Sequence, residues 1–563
     1  MLGRAGARTR ICVPIMVRDE ASALDAAARA RASGADLVEL RIDEYFSGSG
    51  EAAENARVAG LVSACPLSCI LTCRPTWEGG GYDGPEDARV SMFERVCAAS
   101  EPGEHPPSYL DVEWVAYASS ANLRRKINLA VRVPGRVRDP GTSLLLSTHD
   151  HSGRPPDLAR RVAAMQCEPG AAAVKVAFRA RSLRDNIELF DLIADASKPM
   201  IALGMGAYGM MSRVLAPKFG GLLTFASLEE GAATAPGQPT LDELIERYRF
   251  RSIGACTKVF GVIGWPVEHS KSPLVHNAGF GAIGFDGVYV PLPVEGSYES
   301  FKATVLELMH HPRLDFSGAS VTIPHKTHLA RLAREEGWSL DDDADATGSA
   351  NTLVVDRLGP DAPIVRVAST DGPALVGPLR ELLGPLDGGS GGTEGGGGRR
   401  VAVIGAGGVG RAAAWALARA GATVELYNRT PERAERAAGE LGAALPSGSG
   451  TIAPAALDAL PESGCHAIVN CSSVGMRGGE APDGTAAPLD RMGRCAPDLV
   501  VMDTVYNPAV TPLLAAARGR GLRTIDGVTM FVRQAEEQFA RWTGVRPPTD
   551  LFEGAVRGRV PGR

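Results

Sequence analysis

An α/β chain in two halves is the fold class this sequence predicts, and three observations predict it. From Ile11 to about Gln238, eight short apolar runs alternate with Ala-rich helical stretches, the repeat of a (β/α)8 barrel. Strand and helix signals then restart in "TKVFGVIGWPVEHSKSP". Further on, "VAVIGAGGVGRAAAWALARAGATVELYNRT" places a glycine cluster between a strand and a helix and adds another strand, a Rossmann-like βαβ unit. At 563 residues the chain exceeds one hydrophobic core. The expected divisions are a barrel over 10–245, a two-lobed unit with its first lobe over 256–385, a Gly-rich insertion over 386–399, a nucleotide-binding lobe over 400–525, and a C-terminal helix over 526–548 that returns to the first lobe.

The eight runs are "ICVPIMV", "LVELRID", "CILTCR", "YLDVEW", "LLLSTHD", "AVKVAF", "MIALGM" and "LLTFASL". A doubly wound open sheet competes, but no glycine-rich loop follows the first strand. In a barrel, chemistry gathers at the C-terminal strand ends. Strand two ends in Glu39, Arg41 and Asp43; strand three ends in Arg74, with Glu78 close behind in "RPTWEGG". Strand five delivers His149, strand six carries Lys175 between Val174 and Val176, and "MGAYGMMSR" after strand seven brings Arg213. A lysine facing a dry interior must find a partner or lose its proton, unless it lies on an edge and snorkels to water. Three arginines at one mouth suit an anionic substrate, a carboxylate above all, and cations nearby would lower the lysine's pKa. A neutral amine attacks ketones to form a Schiff base. His149, one strand away, could take a proton from the adjacent carbon, with Glu78 fixing the other ring nitrogen. Any one of these arginines alone reads as a surface ion pair; the set is what points to chemistry.

In the second half, "GGSGGTEGGGGRR" (Gly388–Arg400) reads as a flexible linker or loop insertion. Gly405, Gly407, Gly408 and Gly410 follow between strand and helix, so backbone N–H groups can face a pyrophosphate. NAD sites usually carry Asp or Glu at the end of the second strand. Here stand Asn428, Arg429 and Thr430, with Arg433 one turn on, and two arginines attract a 2′-phosphate. The expected cofactor is NADP(H), although a plain charged helix start would look the same. Ser270 and Ser272 in "HSKSP" suit a carboxylate or a simple helix cap. "VTIPHK", "GSANT" and "STDG" contribute Thr322, Lys326, Asn351 and Asp371; a lysine and an aspartate meeting at a carbonyl can relay a proton.

Composition bounds the rest. With 44% hydrophobic and 22% charged residues and a net charge of −6, the chain gives no reason to expect nucleic-acid or membrane partners. Ten cysteines without paired metal spacing imply a reducing compartment, no disulfide framework and no metal. The basic opening "MLGRAGARTR" is too short for a complete transit peptide. A soluble monomer acting on small molecules is expected, in the plastid stroma if the source is a plant or alga and in the cytoplasm otherwise.

"VELRID", "TCRPTWEGG", "STHD", "VKVA", "MGAYGMMSRVLAPKFGG" and "APGQPT" together resemble type I 3-dehydroquinate dehydratase. The resemblance implies Lys175 as Schiff-base lysine, His149 as general base and acid, and Glu78 as its orienter. Glu39, Arg41, Arg74 and Arg213 would hold substrate, with Gln238 and Thr234 on a lid; Thr234 stands where serine is usual. Class I aldolases share the barrel lysine, but His149, "ELR" and "RPTWEGG" favour dehydration. From about Lys258 to Gly544 the chain resembles shikimate dehydrogenase, with "NCSSVGM", "VMDTVYNP" and "DGVTMFVRQAEEQF" extending the match. That implies Lys326 and Asp371 as the catalytic pair, and Ser270, Ser272, Thr322, Asn351, Tyr506 and Gln534 around shikimate. Gly405, Gly407, Gly408, Val409, Asn428, Arg429, Thr430, Arg433, Ser472, Gly527 and Met530 would line NADP. Two departures stand out: Ser369-Thr370-Asp371 for Asn-Thr-Asp, and "GSANT" for Gly-Ala-Val-Asn-Thr. The implied activities are consecutive, as in the bifunctional enzymes of plants and algae. A second half working on quinate, one oxidising 3-dehydroshikimate, and a sensor with decayed sites are the alternatives.

Overall fold

The computed structural model describes residues 8–132, 141–229, 231, 237–357, 363–387, 398–491 and 498–558. Thr234 and most of the Gly-rich insertion therefore lie outside the described residues. The chain divides into two compact units, one comprising Met1–Lys258, Asp286–Pro293 and His310–Asp315, the other Val259–Phe285, Val294–Met309 and Phe316–Arg563.

The first unit is built on β1 (Arg10–Met16), β2 (Leu37–Arg41), β3 (Cys69–Thr72), β4 (Tyr109–Glu113), β5 (Ser143–Asp150), β6 (Ala171–Arg179), β7 (Met200–Met205) and β8 (Leu223–Phe225). Helices separate most of the strands, and the strand order β7-β6-β5-β4-β3-β2-β1-β8 makes a nearly closed parallel barrel. β8 ladders with β1 from Arg10–Leu223 to Cys12–Phe225. On its other side, the Leu222 N–H donates to the Met200 carbonyl at 2.8 Å.

Strand alternation then stacks the interior in tiers. Cys12, Leu37, Ile70, Leu145, Ala173, Ile201 and Leu223 form an apolar floor. Two residues further along the same strands come Glu39, Thr72, Ser147 and Lys175, and two further again Arg41, Arg74 and His149. On β4, Tyr109 packs against the floor, so the next two positions of the same phase are Asp111 and Glu113. Because all the strands run the same way, every polar tier falls at one end.

In the second unit, β9 (Lys258–Gly264), β11 (Phe316–Val321), β13 (Thr352–Asp356), β14 (Ile364–Ala368) and β12 (Ser339–Leu340) lie side by side in that order; β10 (Gly287–Pro293), next after β9 in the chain, falls within the first unit. β13 runs antiparallel to both its neighbours. A second, wholly parallel sheet has the order β17-β16-β15-β18-β19-β20, with β15 (Arg400–Ile404), β16 (Thr423–Tyr427), β17 (Thr451–Ala455), β18 (Ala467–Asn470), β19 (Val500–Asp503) and β20 (Arg523–Ile525). Its two faces bury separate apolar clusters, as a doubly wound Rossmann-like sheet must. The helix Gly527–Thr543, capped by the Asp526 side chain, packs back on β13: Trp542 Nε1 donates to the Leu353 carbonyl at 3.0 Å. Among the described residues no helix is long and apolar enough to cross a membrane.

Candidate functional sites

At the C-terminal end of the barrel, Lys175 is 5% exposed. Its Nζ donates to Glu39 Oε1 at 3.1 Å and Asp111 Oδ2 at 3.3 Å, and lies 4.5 Å from the centre of the Phe225 ring. The nearest partners of the amine are thus carboxylates, where the sequence suggested arginines. Arg74, one of those arginines, is itself enclosed. One guanidinium nitrogen donates to Glu78 Oε2 at 3.1 Å, Glu113 Oε1 at 2.8 Å and Ser147 Oγ at 2.8 Å, and the other lies 2.9 Å from Asp111 Oδ2. Burial pushes Asp111 up, but Arg74, Lys175 and a hydrogen bond from Ser147 outweigh it and hold the carboxyl below its usual value.

His149 and Glu78 meet as expected, Nδ1 to Oε2 at 3.1 Å. Burial, then the cations of Arg74, Lys175 and Arg41, hold the imidazole well below its ordinary pKa, which favours the neutral ring at physiological pH. Burial raises Glu78 to about 8 against the opposing pull of Arg74, with Glu113 and Asp111 adding to the rise. The Glu78 backbone sits in a one-turn helix, Thr76–Glu78, ended by Gly79 with φ +80°; a Cβ there would lie 2.3 Å from His151 Nε2.

The two remaining arginines differ. Arg41 is clamped by both oxygens of Asp43 at 2.9 and 2.8 Å. Arg213, in the helix Met210–Val214, is 2% exposed, and its Nε has no hydrogen-bond partner among the described residues. Burial alone lowers it to about 10. It is the arginine best placed to answer an incoming anion. Glu39, Arg41, Arg74, Glu78, His149, Lys175, Arg213 and Gln238 all line one cleft. Sequence reading missed Asp111, Glu113 and Arg89. Arg89 is fully buried and donates to Glu113 Oε2 at 2.7 Å and the Cys73 carbonyl at 2.8 Å, and forks onto Glu86 at 3.0 and 2.7 Å.

The second unit holds a smaller constellation. Lys326 opens the helix Lys326–Glu335 and Asp371 opens Asp371–Leu383; Lys326 Nζ donates to Asp371 Oδ2 at 2.5 Å. Asn351 Nδ2 lies 3.0 Å from each of Asp371 Oδ1, Thr370 Oγ1 and Gln534 Oε1. Gln538, also missed from sequence, holds the Asn351 carbonyl at 3.0 Å and Thr352 Oγ1 at 3.1 Å. The Ser272 N–H donates to Ser270 Oγ at 3.2 Å, a contact within the turn, since the helix Ser272–Ala282 has no side-chain cap, and Tyr506 hydrogen-bonds to Ser270. Thr322 is half-buried, four residues before Lys326. Gly527 packs so closely that a Cβ would lie 2.2 Å from the Val505 carbonyl oxygen, beside Tyr506, and Met530 is buried one turn on.

Beside this pair runs the glycine turn. Gly405 takes φ +109°, and a Cβ at Gly410 would strike its carbonyl oxygen at 1.7 Å. A Cβ on Gly407, by contrast, would meet nothing within 4 Å. The helix Gly408–Arg419 starts with no side-chain cap, which leaves its first N–H groups, those of Gly408 and Val409 among them, for a phosphate. The second strand ends in an amide, Asn428, whose Oδ1 accepts the Ala406 N–H at 3.1 Å and whose Nδ2 donates to the Thr430 carbonyl at 2.9 Å. Arg429 is exposed and pairs with exposed Glu480 at 3.2 Å; Arg433 is exposed. Ser472 Oγ donates to Asn470 Oδ1 at 2.7 Å, and the Ser472 N–H borders Gly405. This open turn fits a dinucleotide.

Two enzyme-type units, a lysine–histidine barrel and a dinucleotide-type oxidoreductase, are what these sites define. The model of type I 3-dehydroquinase matches residues 11–255. The shikimate dehydrogenase substrate binding domain matches 262–353 and the shikimate 5′-dehydrogenase C-terminal domain 527–557. The NAD binding domain of 3-hydroxyacyl-CoA dehydrogenase matches 400–454. The bifunctional 3-dehydroquinate dehydratase/shikimate dehydrogenase of Arabidopsis thaliana chloroplasts is 34% identical over 560 residues, 96% of this chain and 83% of the relative. The NADP(+) shikimate dehydrogenase of Gluconobacter oxydans is 40% identical over 300 residues, 52% of this chain and 93% of the relative. A solved dehydroquinate dehydratase and shikimate dehydrogenase from S. pombe is 24% identical with a TM-score of 0.41, covering 98% of this chain and 99% of that one. The chain belongs to the bifunctional 3-dehydroquinate dehydratase/shikimate dehydrogenase family.

Proposed function

We propose that the chain dehydrates 3-dehydroquinate to 3-dehydroshikimate in its barrel and reduces that ketone to shikimate with NADPH in its second unit. One observation carries the reading: each unit buries a lysine against the partners its own step needs, and the first step's product is the second step's substrate.

In the barrel, Arg213 receives the substrate carboxylate, with Arg41, Arg74, Glu39, Gln238 and the lid residue Thr234 around the ring. As Lys175 Nζ attacks the ketone, two of its protons pass by way of Glu39 to the carbonyl oxygen, while Asp111 stays ionised beside it. The carbonyl oxygen leaves as water and an iminium forms. Neutral His149 removes a proton from the carbon beside the iminium, and the electron pair expels the β-hydroxyl, which takes that proton from His149 and departs as a second water. One water then hydrolyses the iminium and frees the amine. Glu78 keeps the imidazole oriented throughout.

In the second unit, Ser270, Ser272, Thr322, Asn351, Tyr506 and Gln534 surround the substrate. When bound, NADPH supplies the hydride. Lys326, steadied by Asp371, supplies the proton to the carbonyl oxygen, and Asn351 holds Asp371 in place through its amide. Gly405, Gly407, Gly408 and Val409 would cradle the phosphates, with Ser472, Gly527 and Met530 completing the cleft. Asn428 in place of a carboxylate, with Arg429, Thr430 and Arg433, favours a 2′-phosphate over a free hydroxyl. The functional divisions follow at 10–245, 256–385, 386–399, 400–525 and 526–548. We likewise infer a metal-free monomer, in the plastid stroma of a plant or alga or in the cytoplasm elsewhere.

Borohydride reduction in the presence of 3-dehydroquinate, followed by peptide mapping, is expected to label Lys175. The same preparation should oxidise NADPH on addition of 3-dehydroshikimate. An active, folded chain that gives no adduct refutes the iminium route, and a preference for quinate over shikimate with NADP⁺ refutes the second assignment.

A further inference from the structure

Ser349 is one of the residues by which this chain departs from the shikimate dehydrogenase pattern, and its hydroxyl has no part in the chemistry above. The residue is 1% exposed, and its Oγ has no hydrogen-bond partner among the described residues. Its backbone is satisfied locally: the N–H donates to Thr347 Oγ1 at 3.3 Å and the carbonyl accepts from the same hydroxyl at 3.1 Å. A buried hydroxyl left without a partner costs free energy.

That hydroxyl faces the glycine turn. A Cβ built on Gly408 would lie 2.8 Å from Ser349 Oγ and 3.1 Å from the Cβ of Lys326. Gly408 is the first residue of a 12-residue helix that has no side-chain cap, so its first N–H groups and the positive end of its dipole are open to an anion. The surroundings hold Ser349 in register with the turn. Arg411 Nε donates to the Thr347 carbonyl at 2.7 Å and Trp415 Nε1 to Asp343 Oδ1 at 3.1 Å, both from the same helix.

We propose that Ser349 donates a hydrogen bond to a pyrophosphate oxygen of the dinucleotide at the N-terminus of helix Gly408–Arg419, so that the segment carrying Asn351 grips the cofactor together with the glycine turn. The proposal rests on the NADP reading above.

Calorimetric titration of the full chain tests it, with NADP⁺ and with 2′-phospho-ADP-ribose, which keeps both bridging phosphates and lacks nicotinamide. Ser349→Ala, checked for an unchanged Tm, should weaken both ligands by about tenfold, the loss of one hydrogen bond to a charged group. Ser369→Ala removes another buried hydroxyl without a partner and should leave both affinities within about twofold. Unchanged binding by Ser349→Ala overturns the proposal. So does a loss confined to NADP⁺, which would put the contact on the nicotinamide half, or an equal loss in both serine variants. Wild type that binds NAD⁺ in place of NADP⁺ overturns the cofactor reading instead; the same variants titrated with NAD⁺ and ADP-ribose then decide Ser349 separately.

Discussion

Lys175 and Lys326 both touch a carboxylate, but they are embedded in different ways. Lys175 projects from the middle of a parallel strand between two carboxylates, at 3.1 and 3.3 Å, one of which is shared with Arg74. A phenyl ring lies 4.5 Å away. Lys326 opens a helix and meets one carboxylate at 2.5 Å, whose other oxygen is held by Asn351. On the proposed mechanism the Lys175 amine must shed protons as it attacks, and the Glu39 carboxylate 3.1 Å away is the acceptor in reach. A proton relay must keep its proton until the carbonyl oxygen needs it, and one short pairing suits that. On the proposed roles, the same side chain serves two chemistries because its neighbours differ, not because the lysine does.

The contrast can be broken most directly at the lysines. Lys175→Ala should cost the dehydratase roughly four orders of magnitude or more in kcat while NADPH oxidation stays within about twofold; parallel loss of both activities would show that the sites are not independent. Lys326→Met should do the reverse, lowering reduction of 3-dehydroshikimate by about 10²–10⁴-fold, and a surviving reductase would remove Lys326 from the proton step. Glu113→Gln takes a buried carboxylate from both Arg74 and Arg89. It should destabilise the barrel by about 3–5 kcal/mol, seen as a drop in Tm with the reductase intact; an unchanged Tm would mean the two arginines re-pair elsewhere. The smallest effect is a pH slope. Glu78 is raised from 4.5 to about 8, so the native state holds a proton that the unfolded chain has released. Its contribution to stability is full below pH 4.5 and is lost as pH rises through about 8. The Tm of wild type relative to Glu78→Gln should therefore fall between those limits; parallel profiles would remove Glu78 as the titrating group.

Much of the barrel was legible because its signals are local. Apolar runs of strand length, punctuated by helical stretches, place β1 to β7, although β8 keeps only three residues of the run expected for it. Lys175, His149 and Glu78 were legible for the same reason, as polar residues at strand ends. Asp111 and Glu113 stood in plain view in "YLDVEW", alternating with Leu110 and Val112. Their meaning lies in partners 24 to 64 positions away in the chain, Arg74 and Arg89 for Glu113, and Ser147 and Lys175 for Asp111, which no local period reveals. Arg89 was harder still. On the helix Glu86–Ala98 it reads as a surface cation paired with Glu86, yet it is wholly buried. Gln538 gave no signal beyond its place in an amphipathic helix.

The seam beside β8 has a mechanical consequence. A hoop of strands widens most easily where its fastening is slightest, and here that joint lies between β7 and β8, with the Leu222–Met200 bond across it. β8 carries Phe225, the ring beside the Lys175 ammonium. The strand at this joint therefore also forms the wall against which the amine sits, so a displacement of β8 would move Phe225 relative to Lys175 Nζ.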